Sequence, residues 1–339
     1  MTYSYSKHTA TCPICGNSDN KLLYKISSDE AAAQCMVVQP AWRKADAQVK
    51  AAKSIERLWG GKTASVVGCT KCGVVFADPF VSGDAEFYNV VTHSDNSVDY
   101  NKIPLNWKWE FDKTFNTLSS LYKNGQNIQL LEIGASIGDF AIGASKLIPK
   151  ENILCLEYSE KAVERIKNVG IKAMSDDFRE LKDRPEHIAK YDVICLFQVL
   201  EHLDRMDDTF ETFNKLIKPG GHLFIGVPND KNIKFNELNG GLLDIPPNHL
   251  IRFNKHSFKL LGQKYNWQLK ELCVQPYTPL DVMKTVMYSQ SLKRSQYPPV
   301  ERRMLYRTRE YLQIKKLRLR SFLLHKQLGE CTWVHYQKP

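Results

Sequence analysis

The stretch LLEIGASIGDF, Leu130 to Phe140, decides the fold. Its first four residues read as a buried strand, and the glycines at 134 and 138 as a tight turn feeding a helix. A dinucleotide turn, G-x-G-x-x-G aligned on Gly134, needs glycines at 136 and 139 so that backbone N–H groups and a helix N-terminus can hold a pyrophosphate. This chain has Ser136 and Asp139 there. A carboxylate at 139 repels a pyrophosphate, which excludes the NAD and FAD reading. Glu132 before the turn and Asp139 after it suit a cation.

Outward from the turn, apolar runs and amphipathic segments alternate. IQLLEIG, ILCLEYS, YDVICLF and HLFIGVP read as strands, separated by the helical segments FAIGASKLI, EKAVERIKNV and DDTFETFNKLIK. The last carries Phe210, Phe213, Leu216 and Ile217 on one face and is expected to stop at Pro219-Gly220-Gly221. A helix, NKHSFKLLGQKY, and two strands, WQLKELCVQ and CTWVHYQ, follow. Strands alternating with helices predict an α/β fold with a parallel sheet covered on both sides.

Taken in order, these segments resemble class I S-adenosylmethionine (SAM)-dependent methyltransferases, over about Trp107 to Tyr277 plus the last strand. The resemblance implies a Rossmann-like, seven-stranded, mostly parallel sheet with helices on both faces. LLEIGASIGDF is similar to the family's first motif, E/D-x-G-x-G-x-G, with Ser136 in place of the middle glycine. Glu132, Gly134, Ser136 and Gly138 are then expected around the methionine part of the cofactor. Glu157, ending the second strand, takes the place of the acid that accepts hydrogen bonds from both ribose hydroxyls. Asp176 and Asp177 end the third strand, where an acid reads the adenine amino group; Asp177 is the favoured one, with Phe178 against the ring. DVICLFQVLEHL corresponds to the fourth strand and the helix after it, with Gln198 beside the cofactor, and LIKPGGHLFIGVPN to the fifth-strand unit. PPNHLIRFNKHSFKLLGQKYNW resembles a stretch that follows in small-molecule methyltransferases.

His202 and His249 are the catalytic candidates, as general base or substrate contact. Glu201 and His202 are adjacent, so on a helix their side chains diverge. Relatives with E-x-x-E-H bind a divalent metal, but Gln198 replaces the first acid here and no catalytic metal is expected. FYNVVTHSDNSVDY resembles the aromatic lid of many relatives, with Tyr88 and Tyr100 as its closing residues.

Nine cysteines, an odd number in a long chain, argue against an extracellular disulfide framework. Cys12/Cys15 and Cys69/Cys72 form two C-x-x-C-G pairs, the spacing at which four thiolates hold a tetrahedral zinc ion. Between the pairs, an Ala-, Lys- and Glu-rich stretch predicts a helix from about Trp42 to Trp59. A structural zinc in a small ribbon-like N-terminal lobe is expected. Such lobes resemble those of methyltransferases that tailor sugars and natural products. The sugar C-methyltransferases among them carry a further C-terminal domain, for which this chain has little room, leaving O- or N-methylation.

A hydrophobic fraction of 43% and a charged fraction of 25% are ordinary for a soluble globular protein. No apolar run is long enough for a membrane span, and the polar first residues lack a secretory signal, so a cytoplasmic location is expected. The net charge of +10 resides in Lys284–Lys326, which holds twelve Lys/Arg against two acids and is expected to be a helical insertion. That segment offers a surface for an anionic partner: a nucleotide-linked sugar, phospholipid headgroups or RNA. The expected boundaries are 1–85 for the zinc lobe, 86–125 for lid and helix, 126–280 for the SAM-binding core, 281–329 for the basic insertion and 330–339 for the last strand. The reading is a SAM-dependent methyltransferase of a small molecule such as a sugar, nucleotide-sugar or secondary metabolite. An RNA methyltransferase and a non-catalytic SAM-fold binding protein are the alternatives.

Overall fold

A computed structural model describes residues 5–35, 44–91, 100–122, 127–238, 244–284, 319 and 322–339 of the chain. The strands among them are β1 (Ser6–His8), β2 (Asn20–Ser27), β3 (Thr63–Cys69), β4 (Val75–Asp78), β5 (Leu130–Ile133), β6 (Ile153–Leu156), β7 (Lys172–Met174), β8 (Tyr191–Phe197), β9 (Ile217–Pro228), β10 (Ile251–Arg252), β11 (Gln268–Val274) and β12 (Cys331–Gln337). The helices are α1 (Ser28–Cys35), α2 (Lys44–Trp59), α3 (Ala85–Val91), α4 (Trp109–Leu121), α5 (Asp139–Ala144), α6 (Glu160–Asn168), α7 (Met206–Leu216), α8 (Asp230–Leu238) and α9 (Lys255–Lys264). Two compact units arise from interleaved stretches: Met1–His93, Pro228–Asn254 and Val274–Thr332 in one, Ser94–Val227, Lys255–Cys273 and Trp333–Pro339 in the other. This division departs from the expected boundaries, because residues 228–254 leave the expected core for the first unit.

The second unit is built on a seven-stranded sheet in the order β11-β12-β9-β8-β5-β6-β7. β9, β8, β5, β6 and β7 run parallel. Parallel neighbours need crossovers, which is why α5, α6 and α7 sit between successive strands. All four residues of β5 are buried, as in a sheet covered on both faces. Phe111, Phe140, Phe197, Phe224 and Trp333 fill its core. Trp333 buries its ring fully and still satisfies its indole N–H, which donates to Thr114 Oγ1 at 2.8 Å.

Helix α7 ends at Leu216, three residues before the expected stop. The ladder explains it. Tyr191 pairs with Ile217 and Val193 with His222, so residues 218–221 bulge out between those pairs. Pro219, which has no N–H to give to the ladder, lies in that bulge. Opposite the bulge, the Gly220 N–H donates to Lys338 O and the Lys338 N–H to Gly221 O, while His222 and His335 meet at 2.8 Å. β12 therefore runs against β9.

The order of strands reverses at β5, which has β6 on one side and β8 on the other. Open α/β sheets bind ligands at the carboxyl ends of strands where the order reverses. The connections after β5, β6, β7 and β8 all emerge at that end.

The first unit is a five-stranded antiparallel sheet, β1-β2-β3-β4-β10. α1 and α2 are inserted between β2 and β3, whose register closes on Ser27 opposite Thr63. Their alanines, 31, 32, 51 and 52, are buried against Ile26, Ile55, Trp59 and Phe87, where small side chains let helices and sheet approach closely. The expected helix from Trp42 corresponds to α2; positions 42 and 43 lie outside the described residues. A buried ion pair ties 228–254 to this sheet: Arg252 donates to both Glu237 oxygens at 2.6 and 2.8 Å and to Tyr24 Oη at 2.8 Å. Every charge in it is paired, as burial requires.

Apart from Lys284, Leu319 and 322–326, the basic segment lies outside the described residues, as do 92–99 of the expected lid. Tyr88 and Tyr100 fall in different units: Tyr88 lies edge-on to Phe87, and the Tyr100 carbonyl accepts from Arg165. No described helix is long and apolar enough to cross a membrane.

Candidate cofactor site and metal centre

The loop after β5 is stitched to β6. The N–H groups of Gly134 and Ala135 both donate to Leu156 O, at 2.9 and 3.0 Å, and Gly138 closes the turn onto Ala135 O at 2.9 Å. Gly134 (φ +69°) and Gly138 (φ +84°) have left-handed backbones, and each also lies under a neighbour. A Cβ at 134 would come within 2.4 Å of Val199 Cγ2, and one at 138 within 2.8 Å of Ile166 Cγ1. Gly134 thus lets the loop after β8 close over the loop after β5. Gly134→Ala is expected to destabilise the protein by about 2–4 kcal/mol, overpacking plus left-handed strain. Urea denaturation measures it, and Val199→Ala in the same chain should recover part of the loss; an unmoved midpoint would contradict the close approach.

Ser136 also has a left-handed backbone, φ +51°, with its residue exposed. A non-glycine residue there costs roughly 1–2 kcal/mol. Its N–H offsets that cost by donating to Glu157 Oε2 at 2.7 Å. Glu157 Oε1 accepts from the Ser159 N–H at 3.1 Å. The half-buried carboxylate is thus held at the end of β6 by two N–H groups.

Asp176 and Asp177 follow β7 and are both engaged with arginines. Asp176 pairs with Arg184. Asp177 Oδ1 accepts from the Arg179 N–H at 2.9 Å, while its Oδ2 lies 3.6 Å from Arg179 Nη1 and 3.8 Å from Arg205 Nη2. Neither arginine was marked by a sequence pattern; Arg205 is also left-handed at φ +49°, which nothing in its neighbours' sequence announces. Phe178 is 4% exposed and stacks on Phe213 at 5.6 Å. Its ring belongs to the core rather than to a ligand surface.

Glu132 is 3% exposed and accepts the backbone N–H of Ala141. Burial pushes its carboxyl up to about 8. Asp139, first residue of α5, accepts the Asn106 N–H, and burial raises it above the usual carboxylate range. Gln198, after β8, has φ +58°; its N–H donates to Gly226 O at 2.7 Å and its side chain reaches buried Glu110 at 3.4 Å.

His202 closes a single 3-10 turn, Leu200–His202. On that turn its Nε2 lies 3.9 Å from Glu201 Oε1, closer than the divergence expected of an α-helix. His249 belongs to the other unit, with Nδ1 2.9 Å from Asp244 Oδ1.

In the first unit the four paired cysteines meet. Cys12 and Cys15 lead into β2, Cys69 ends β3, and the register places Asn20 opposite Cys69. The two knuckles have the same backbone: Gly16 N–H donates to Cys12 O and Gly73 N–H to Cys69 O, each at 3.0 Å. Cys12 Sγ lies 3.6 Å from Cys72 Sγ, Cys15 Sγ 3.5 Å from Cys69 Sγ, and all four sulfurs fall within 4.8 Å of one another. Four thiolates on a tetrahedral zinc ion stand roughly 3.8 Å apart. The donor set fits zinc and leaves no fifth position. Asn17 Nδ2 at 3.7 Å and the Cys72 N–H at 3.4 Å direct N–H groups at Cys69 Sγ.

Residues 107–272, just under half the chain, match the model of a methyltransferase domain family. A mitochondrial ubiquinone biosynthesis O-methyltransferase of Dictyostelium discoideum is 25% identical over 117 residues, 31% of this chain and 36% of that protein. The ubiquinone biosynthesis O-methyltransferase of Marinobacter nauticus is 26% identical over 96 residues, 28% of this chain and 34% of that protein. The matched region thus spans about a third of the length of these curated relatives. Among solved structures, a Haemonchus contortus phosphoethanolamine N-methyltransferase 2 bound to SAM covers 75% of this chain and 59% of its own, at TM-score 0.45 and 12% identity.

Proposed function

We propose, from the premise that residues 107–272 are a class I SAM-dependent methyltransferase domain, that the chain methylates an oxygen atom of a small molecule. A nitrogen acceptor is the neighbouring alternative. The observation that supports this reading most is Glu157. Its carboxylate is fixed at the end of β6 by Ser136 and Ser159, beside the turn from Gly134 to Gly138. That is a place for ribose hydroxyls, next to acids suited to a positive ligand. The curated relatives that match are named as O-methyltransferases of ubiquinone biosynthesis, which favours oxygen.

When bound, SAM supplies a methyl group on a positively charged sulfur, an electrophile with a good leaving group. What the chain adds is placement. Glu157 orients the ribose, Gly134 and Gly138 bring backbone close, and Asp177 reads the adenine amino group. Holding the acceptor in line with the methyl is worth up to about 7–11 kcal/mol. An acceptor hydroxyl must also lose a proton, a step to which a positioned base typically contributes about 10²–10⁴-fold. His202 and His249 are the candidates.

The zinc we assign to Cys12, Cys15, Cys69 and Cys72 organises the first unit and takes no part in transfer. The test uses SAM labelled on the methyl carbon, incubated with the full chain and either hydroxylated small molecules or total RNA, at low and high salt. Label is expected in the small molecules at both salts. Label in RNA that disappears steeply with salt would make the protein an RNA methyltransferase instead. No binding heat with SAM would leave a scaffold.

A further inference from the structure

Three carboxylates border the first turn of the seven-stranded sheet, and they are satisfied unequally. Glu157, half-buried, accepts two N–H groups. Glu132 is sealed below the turn, with the Ala141 N–H on its carboxyl and Cys155 Sγ 3.9 Å from its Oε2. Asp139 is 9% exposed, and its Oδ1 is buried with no hydrogen-bond donor among the described residues. A buried carboxylate oxygen without a donor is costly, so this one calls for a proton or a cation.

The surroundings do not supply enough positive charge. The charged groups acting on Glu132 are Asp139 from α5, Glu157 from the end of β6 and Lys108 just before α4. The thiols of Cys155 on β6 and Cys195 on β8 also feel it, each pushed well up by its burial. Asp139 sees Lys108 and Arg165. Arg165 is already donating to the carbonyls of Tyr100 and Ile103. Among the described residues, Lys108 is the cation that acts most on Glu132, set against two like charges.

We propose that Glu132 carries a proton in the free protein and releases it to solvent when the positively charged cofactor settles on the turn, Asp139 sharpening the exchange by its like charge. This rests on the reading of the turn as a SAM site. Charge balances: neutral Glu132 plus one net positive charge on SAM becomes carboxylate plus SAM, with one proton released. Burial, the dominant cause, holds Glu132 at about 8 in the free protein, so near neutrality the proton is present to be lost. A cation beside the group lowers that value. The sign follows: SAM affinity rises with pH below about 8, by at most about tenfold per unit, and levels off above it.

Calorimetry of SAM binding to the full chain tests this in buffers of low and high ionisation enthalpy, phosphate and Tris, near pH 7.5. The apparent enthalpies are expected to differ by an amount equal to roughly 0.5–1 proton released per SAM bound. Glu132→Gln keeps an acceptor for the Ala141 N–H and should abolish the difference. If that variant does not fold, Asp139→Asn serves: removing the like charge should move the levelling-off of affinity to lower pH. SAM binding with equal enthalpy in the two buffers overturns the proposal, as does undiminished release from a folded Glu132→Gln. Absence of SAM binding altogether would strike the cofactor reading itself.

Discussion

Cys12→Ser is expected to release the metal and unfold the sheet of β1 to β4. Cys12 is 1% exposed and faces Cys72 at 3.6 Å. Four thiols packed this closely are tolerated as thiolates only around a cation. A serine hydroxyl at 12 does not ionise at neutral pH, and three sulfurs hold zinc far less well. Structural zinc contributes about 10–16 kcal/mol in small zinc-dependent domains at neutral pH. That is comparable with the whole stability of an ordinary domain, about 5–15 kcal/mol. Zinc content per chain by mass spectrometry, with limited proteolysis of the first unit, measures the result. A variant that keeps one zinc per chain would remove the site from these four cysteines.

Glu157→Ala is expected to weaken SAM binding by about 1.5–3 kcal/mol, the worth of hydrogen bonds to a charged group. In affinity this is roughly 10- to 150-fold by calorimetry. Part of the loss is indirect. Removing the carboxylate leaves the Ser136 and Ser159 N–H groups without their acceptor, and Ser136 loses what holds its left-handed backbone. Glu157→Gln, which keeps one oxygen, should fall between the two. Unchanged affinity in the alanine variant would place the ribose contact elsewhere.

Much of this was legible in the chain because its signals are local. The five parallel strands announce themselves as short apolar runs, and α6 and α7 as amphipathic segments between them. The two cysteine knuckles are readable from spacing alone, and the alanine-rich stretch between them folds as helix. What was not legible depends on partners far away in sequence. β10 has only two residues, too few for any periodicity, and takes its place by pairing with β4. Arg252 and Glu237 look like surface charges until Tyr24 is found beside them. Phe178 stands next to an acid after the third parallel strand, which suggests a ligand ring. Only the turn after Asp177, which aims the side chain at Phe213, shows otherwise. Residues 228–254 continue directly from a core strand, so nothing in their composition marks the change of unit at Pro228.

The position of β12 bears on how the protein is made. It is the last of the seven strands to leave the ribosome, yet it lies inside the sheet, between β11 and β9. Until residues 331–337 emerge, β9 and β11 expose edges that have no partner. Trp333, Val334 and Tyr336, fully buried in the finished fold, are the last side chains delivered to that core. Vectorial synthesis therefore leaves the seven-stranded sheet split while residues 275–330 are made, dependent on whatever shields open strand edges in the cell.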